Sequence, residues 1–244
     1  MKVLLIGFLL AFAVCHVKNV GRTDIYDPAT YANVNEIQQT HLDLTILVDF
    51  EHQWLEGFSI LTVQAQKDYI YDLYLDIKGI DINSIHDIFG KAFDYQVTTP
   101  NKAHGDQLHI FFSSPLMKSK TLDIVIDYHT NSQQTAISWL TPEQTEGKKF
   151  PFMFTQCEAI YCRSIVPIMD TPSVKFTYDL HIKTPRAIVA KASANRTREA
   201  FVDDYRETYY QMAIPVQSYL IAIAAGIIDE AEIESSNIWI LAEP

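Results

Sequence analysis

The sequence is poor in cysteine and in positive charge, and it contains no Gly/Ser linker, internal repeat or low-complexity tract. Three cysteines in 244 residues are too few for a disulfide-stabilised scaffold. Nineteen basic side chains against thirty acidic ones leave a formal charge of −11. A surface this acidic repels phosphate backbones, so nucleic acid is not expected as a partner. The 48% of hydrophobic residues is typical of a globular protein and excludes a disordered or collagenous chain.

Long apolar runs are also scarce. The longest covers residues 3–14, which as a helix would measure about 18 Å and fall short of a hydrocarbon layer about 30 Å thick. Because Lys2 precedes this run and small residues lie near its end, we predict a signal peptide over residues 1–15 and a secreted protein. A short membrane anchor, a buried segment of the fold and a cytoplasmic location are the alternatives. The ten apolar residues 219–228 predict a core strand, and no stable membrane span is expected.

Complete catalytic motifs are absent from the sequence. None of the eight histidines lies in a His-Glu-x-x-His motif, which would turn two imidazoles toward one zinc ion. There is no Gly-x-Ser-x-Gly motif, phosphate-binding loop or dinucleotide fingerprint. His41, His109 and His181 lie on the polar side of predicted strands, and we interpret them as solvated surface histidines. Cys157 and Cys162 lack the second pair of a structural zinc site; two separate buried thiols are favoured over a disulfide.

Alternation of apolar and polar residues dominates the chain from His41 onward. Residues 42–50 follow this period of two, which is typical of a half-buried strand. The same pattern recurs over residues 71–77, 108–112, 122–128 and 174–182. The side chains expected to face solvent from these strands are charged: Asp72, Asp76, Asp123, Asp127, Lys175 and Asp179.

Shorter apolar segments continue the same organisation and lie between turn signals about ten residues apart. They cover residues 58–63, 187–190, 209–214, 219–228 and 238–241. With no long stretch of helical period, the sequence predicts an all-β fold of antiparallel and mixed sheets, arranged as a sandwich or a saddle. We expect one domain over residues 41–244, preceded by an extended lead-in over residues 16–40.

The segment 138–178 differs from the clean strands around it, because it alternates poorly and is dense in Gln, Glu, Cys, Arg and Asp. Irregular loops on a rigid β scaffold are where binding residues are commonly placed. Three blocks in it closely resemble the leukotriene A4 hydrolase branch of the zinc aminopeptidases: LTPEQT at 140–145, FTQCEAIYCR at 154–163 and DTPSVKFTY at 170–178. Residues 41–66 and 214–222 resemble the same family, so the likeness covers roughly residues 24–244.

The resemblance is to the family's amino-terminal domain, a saddle of curved antiparallel and mixed β-sheets. It implies a zinc-binding catalytic domain with Gly-x-Met-Glu-Asn and His-Glu-x-x-His motifs, neither of which this sequence contains. No cofactor is therefore expected in this chain, since zinc is expected only in the absent catalytic domain. We expect no catalysis from the chain alone, and a catalytic domain or chain as a partner.

The resemblance also implies a substrate-binding segment. Gln156, Cys157, Glu158 and Ala159 match a stretch that reaches into the family's active site and has a cis peptide before the position of Ala159. In the wider aminopeptidases the Glu at this position binds the free α-amino group of the substrate. The leukotriene hydrolases tend to have Gln there. Since a carboxylate binds an ammonium group more strongly than an amide does, Glu158 favours a peptide with a free amino terminus over a lipid epoxide.

Other residues are expected to serve structure or modification. We interpret Arg163 and Asp170 as a buried pair and Pro172 as part of a rigid turn. Asn195 begins the sequon Asn-Arg-Thr and is a glycosylation candidate if the chain is secreted. Two alternatives to a peptidase domain or fragment stay open: a free-standing, non-catalytic module that binds peptide or protein, and an enzyme assembled with a separate catalytic chain. A domain that normally packs on another should expose an apolar patch beside residues 150–165.

Overall fold

The computed structural model describes residues 24–234, 236 and 238–244. The predicted signal peptide, 1–15, and the first part of the lead-in, up to residue 23, lie outside the described residues. Within the described residues, no helix has both the length and the apolar character needed to cross a bilayer.

Strands account for nearly all the regular structure of the described residues. They are β1 (Ile37–Asp49), β2 (Trp54–Ala65), β3 (Ile70–Ile77), β4 (Ile80–Asp87), β5 (Asp94–Asn101), β6 (Gly105–Leu116), β7 (Thr121–Thr130), β8 (Ile137–Leu140), β9 (Phe152–Thr155), β10 (Phe176–Pro185), β11 (Val189–Ala192), β12 (Asn195–Val202), β13 (Tyr205–Val216), β14 (Ile223–Gly226), β15 (Asp229–Glu232) and β16 (Trp239–Ala242). Three 3-10 helices lie between them, at Pro142–Gln144, Cys162–Ser164 and Ser218–Leu220. The all-β prediction is confirmed.

The largest sheet has seven strands in the order β12-β13-β10-β1-β2-β7-β4. The central pair β1 and β10 is parallel, while the other neighbours are antiparallel. Three smaller sheets accompany it: β11-β14-β9-β8, β3-β6-β5 and β15-β16. The fold therefore combines one mixed sheet with antiparallel ones, as the sequence predicts.

Period-two alternation places the core as expected in most strands. In β1, Leu42, Leu44 and Ile46 are buried while Asp43 and Thr45 are partly exposed. Removing such side chains from water stabilises a fold by about 2 kcal/mol each. The apolar faces of β3, β6, β7 and β10 join the same hydrophobic core.

Asp76 is an exception to the alternation. The pattern places its side chain on the solvent face, but in the structure that side chain is fully buried. Its carboxylate is enclosed by segments 30–31 and 163–170, which both bond to it, and its backbone bonds to Ile168 in both directions. Tyr71, at the other end of β3, belongs to the apolar face by alternation and is nevertheless exposed. Alternation along one strand cannot predict that another segment packs on its polar face. Nor can it predict that one end of the strand extends past the core.

Two element boundaries differ from the sequence expectations in a way that changes the assignment of a segment. β1 begins at Ile37, so the last four residues of the predicted lead-in are strand. Residues 219–228 do not form one strand: a 3-10 turn, closed by the bond from the Ile221 amide to the Ser218 carbonyl, precedes the short strand β14. The alternation does not predict β4, β5 or β12, and β5 and β12 are largely exposed and so lack an apolar face to recognise.

Candidate functional site

The candidate site is the loop that leaves β9 and leads into the 3-10 helix Cys162–Ser164. The Gln156 amide donates to the Ala136 carbonyl at 2.8 Å, and the Tyr161 amide donates to the Cys157 carbonyl at 2.9 Å. The first bond continues the β8–β9 pairing by one residue, and the second closes a turn over residues 157–161. The backbone of the loop is thus fixed at both of its ends.

The side chains of this loop alternate between core and surface. Cys157 is buried, whereas Gln156, Glu158 and Ala159 are exposed. The Glu158–Ala159 peptide bond is cis, as the resemblance implies. Among the described residues, neither the side-chain amide of Gln156 nor the Glu158 carboxylate has a partner for a hydrogen bond or ion pair, and both side chains are exposed. The loop therefore presents an amide and a carboxylate whose acceptor oxygens are open to a ligand.

Cys157 and Cys162 lie beneath this surface, and both are free thiols and buried. The hydrogen bond with the Cys157 thiol, together with burial, raises the pKa of the Cys162 thiol well above its usual range. A thiol held in its protonated form is a poor nucleophile. Both cysteines pack beneath the loop, and Cys162 does so as a neutral thiol.

Arg163 fixes the far end of the loop from within the core. Its side chain is 1% exposed, and its Nε donates to Asp170 Oδ2 at 2.9 Å. Three more guanidinium hydrogens bond to the backbone carbonyls of His104 at 2.7 Å, Ala29 at 2.9 Å and Asp170 at 3.0 Å. Such extensive pairing is what allows a guanidinium to be buried.

A second buried carboxylate completes this network. Asp76 Oδ1 lies 3.5 Å from Arg163 Nη1, and its oxygens accept bonds from the Thr30 hydroxyl and the amides of Tyr31 and Asp170. Burial raises the pKa of Asp76 to about 6, an effect that the Arg163 charge opposes. Sequence reasoning missed Asp76, because nothing in the alternation of β3 distinguishes it from Asp72.

The other sequence-selected residues lie away from the loop surface. The Val174 amide bonds to the Thr171 carbonyl at 3.2 Å, which closes a turn with Pro172 exposed at its tip. Asn195 is exposed at the start of β12, an edge strand of the large sheet. Neither residue belongs to the group formed by the loop and the Arg163 network.

Comparison with known proteins identifies the family. The family model for the peptidase M1 N-terminal domain matches residues 38–220, three quarters of the chain. The chain belongs to this family. Within the M1 N-terminal domain, the matched residues include the loop 156–159 and its buried anchors, so the resemblance drawn from the sequence is confirmed.

Curated full-length relatives agree with this assignment. The chain is 33% identical to leukotriene A-4 hydrolase from Xenopus laevis, over 87% of this chain and 36% of that protein. It is 34% identical to leucine aminopeptidase 2 from Chaetomium globosum, over 86% of this chain and 34% of that protein. This M1 N-terminal domain thus spans about a third of the length of the relatives it matches.

Solved structures show the same fold. Native leukotriene A4 hydrolase from Saccharomyces cerevisiae matches with a TM-score of 0.80 and 30% identity, over 92% of this chain and 34% of that one. An M1 zinc metallopeptidase from Deinococcus radiodurans matches with a TM-score of 0.69 at 17% identity, over 87% of this chain and 48% of that one. The second likeness supports the fold alone.

Exposed aromatic side chains flank the loop of this M1 domain. Phe150, Phe154 and Tyr161 are each about two-fifths exposed, and Leu220 is 45% exposed. Phe154 lies on β9, two residues before Gln156. The surface beside residues 150–165 is therefore apolar in part, which is the property expected of a surface that packs against another domain.

Proposed function

We propose that this domain supplies the substrate-amine-binding loop of a zinc aminopeptidase and that hydrolysis requires a catalytic zinc domain as its partner. The observation that carries the proposal is the exposed carboxylate of Glu158, which has no partner among the described residues and lies in a loop anchored by a buried ion network. The M1 family membership supports it, and it favours a peptidase domain over a free-standing binding module.

The chemistry of Glu158 suits a primary ammonium group. A carboxylate accepts charge-assisted hydrogen bonds from an ammonium, and these are about twice as strong as bonds between neutral groups. Gln156 adds an amide oxygen two residues away on the same exposed side of the loop. The substrate class proposed is accordingly peptides with a free amino terminus.

The exposed aromatic side chains support the proposed partner. Phe150, Phe154 and Tyr161 would be covered if a catalytic domain packed beside the loop, and that packing would place the substrate amine between the two domains. The catalytic zinc ion would then be held by the partner, because the sequence of this chain contains no His-Glu-x-x-His motif.

Glu158→Gln tests the role of the loop. We expect the variant of the 244-residue chain to bind a short peptide with a free amino terminus roughly five- to tenfold more weakly than the parent, because the charge-assisted bond is lost. Binding is measured by NMR titration or calorimetry. Glu146→Gln, which alters another exposed carboxylate, is the matched control and should bind as the parent does.

Two results would contradict this function. Equal binding of the free and the N-acetylated peptide would show that the amine is not recognised. Cleavage of an aminoacyl-arylamide by the purified 244-residue chain in the presence of zinc would show that no catalytic partner is needed.

We also propose that the protein is secreted and carries an N-glycan at Asn195. The supporting observations are the leader-like residues 1–15 and the exposure of Asn195 on an edge strand. When the protein is expressed in eukaryotic cells, Thr197→Ala should remove a glycosidase-sensitive mobility shift, while Thr197→Ser keeps the sequon and the shift. A parent protein without any such shift would contradict both parts of the proposal.

A further inference from the structure

The outer face of the seven-stranded sheet carries an open groove of about 560 Å³ over strands β1, β10, β13 and β12. The parallel pairing of β1 with β10 sets His41 beside Thr177 and Asp43 beside Asp179. Side chains two residues apart on a strand share a face, so His41 and Asp43 project together from β1 toward Asp179. Asp43 and Asp179 line the groove, together with Thr45, His181 and Tyr209.

The spacing within this group leaves room for an ion. His41 Nε2 lies 3.5 Å from Asp43 Oδ1 and 3.7 Å from Asp179 Oδ2, and one ligand atom from each of the three residues lies within 4.8 Å of the others. Two ligands bound to one tetrahedral zinc ion at about 2.1 Å are themselves about 3.4 Å apart. The observed distances are therefore close to those of a coordination shell and longer than ordinary hydrogen bonds.

Two other histidine–aspartate pairs on this protein are arranged differently. His109 and His52 each lie against a single carboxylate at hydrogen-bond distance, 2.6 Å from Asp72 and 2.8 Å from Asp49. His41 is the one histidine among the described residues whose ring nitrogen is within 4 Å of two carboxylates. Its arrangement is that of a three-ligand set, which a simple ion pair does not require.

The His41 ring is also held in the orientation that a ligand needs. Its Nδ1 lies 2.6 Å from the Thr177 hydroxyl, on the opposite side of the ring from the carboxylates. A hydrogen bond to the second ring nitrogen is the usual means by which a metal-binding histidine is oriented. Thr177 thus keeps Nε2 directed between Asp43 and Asp179.

We propose that His41, Asp43 and Asp179 bind a divalent transition-metal ion, with zinc as the best match, and that water from the groove completes its coordination. Imidazole together with carboxylates favours zinc over the purely oxygen-preferring magnesium and calcium ions. This departs from the sequence interpretation of His41 as a solvated surface histidine. The proposal does not depend on the proposed function, since the groove and the loop 156–159 share no residue.

Zinc titration of the 244-residue chain, by calorimetry or against a chromophoric chelator, tests the site. We expect Asp179→Asn and His41→Gln each to weaken zinc binding at least about tenfold, and Thr177→Val to weaken it about tenfold through the loss of ring orientation. Asp127→Asn is the matched control: Asp127 projects from β7 and pairs with His86 at 3.3 Å, and no other carboxylate of the described residues lies within 4 Å of that ring's nitrogens. That variant should bind zinc as the parent does.

A spectroscopic readout locates the site. In NMR spectra, zinc should shift the imidazole signals of His41 and not those of His86. Unchanged affinity in Asp179→Asn and His41→Gln, or an equal loss in Asp127→Asn, would overturn the proposal.

Discussion

Replacing Arg163 with methionine is expected to lower the free energy of unfolding by about 3–5 kcal/mol, the cost of breaking a buried ion pair by removing one partner. The methionine would fill most of the volume of the arginine side chain but would not replace its positive charge. Asp170 and Asp76 would then share the core without their cation, and three backbone carbonyls would lose their donor. Denaturant unfolding followed by tryptophan fluorescence measures the loss.

The matched control is Arg186→Met. Arg186 is exposed, and its guanidinium lies over the Phe201 ring and donates to the Asp203 carbonyl. This substitution removes the same charge from the surface, so the expected change is below about 1 kcal/mol. Equal losses in the two variants would show that the buried network contributes nothing beyond the charge itself.

The stability that Arg163→Met loses relative to the parent should become smaller as pH falls from 7 to 5. Burial already raises the pKa of Asp76 to about 6, so the folded state binds this proton more tightly than the unfolded state does. Ionisation of Asp76 therefore lowers stability as pH rises from about 4 to 6. Without Arg163 the pKa of Asp76 rises further, and protonation then relieves the variant more than the parent. A deficit independent of pH would contradict this account.

Gly79→Ala is expected to lower the free energy of unfolding by about 2–5 kcal/mol, from two separate causes. Gly79 joins β3 to β4 with φ of +64°, a region that costs an L-residue about 1–2 kcal/mol. A Cβ at this position would also lie 2.1 Å from the backbone nitrogen of Gln134. Overpacking of this kind typically costs another 1–3 kcal/mol. Thermal unfolding measures the sum.

Two other glycines separate these causes. Gly90 has φ of +86°, and a Cβ added to it would meet no heavy atom of the described residues within 4 Å, so Gly90→Ala should show the backbone cost alone. Gly147 has neither a left-handed φ nor a close neighbour in the described part of the chain, so Gly147→Ala should be nearly neutral. If Gly79→Ala costs no more than Gly90→Ala, the clash with Gln134 is relieved by local movement.

The Gly79 turn also bears on the candidate site. The Lys78 amide donates to the Arg163 carbonyl at 2.8 Å, and the Gly79 carbonyl accepts from the Asn131 amide at 2.8 Å. The segment that begins at Asn131 leads to Ala136, whose carbonyl holds Gln156. We therefore expect Gly79→Ala to disturb the loop 156–159 as well as overall stability.

Local sequence determined the strands that have one apolar face, because alternation records which side of a strand meets the core. Leu42, Leu44 and Ile46 of β1 are the clearest case. The motif at 154–163 also identified the family and the loop residues Gln156 and Glu158. The sequences of β5 and β12 show no such alternation, since their side chains are exposed on both faces.

Only the tertiary structure decided how distant polar residues combine. Asp76 is buried because segments 30–31 and 163–170 enclose its carboxylate. His41 meets Asp179 because β1 and β10, more than 120 residues apart in the chain, pair in parallel. The sequence thus determined the strands that have one apolar face and the loop that presents Glu158. Burial, ion pairing and the spacing of ligand atoms depend on the strand order and on the segments that pack across each face, and neither is encoded in the local alternation of side chains.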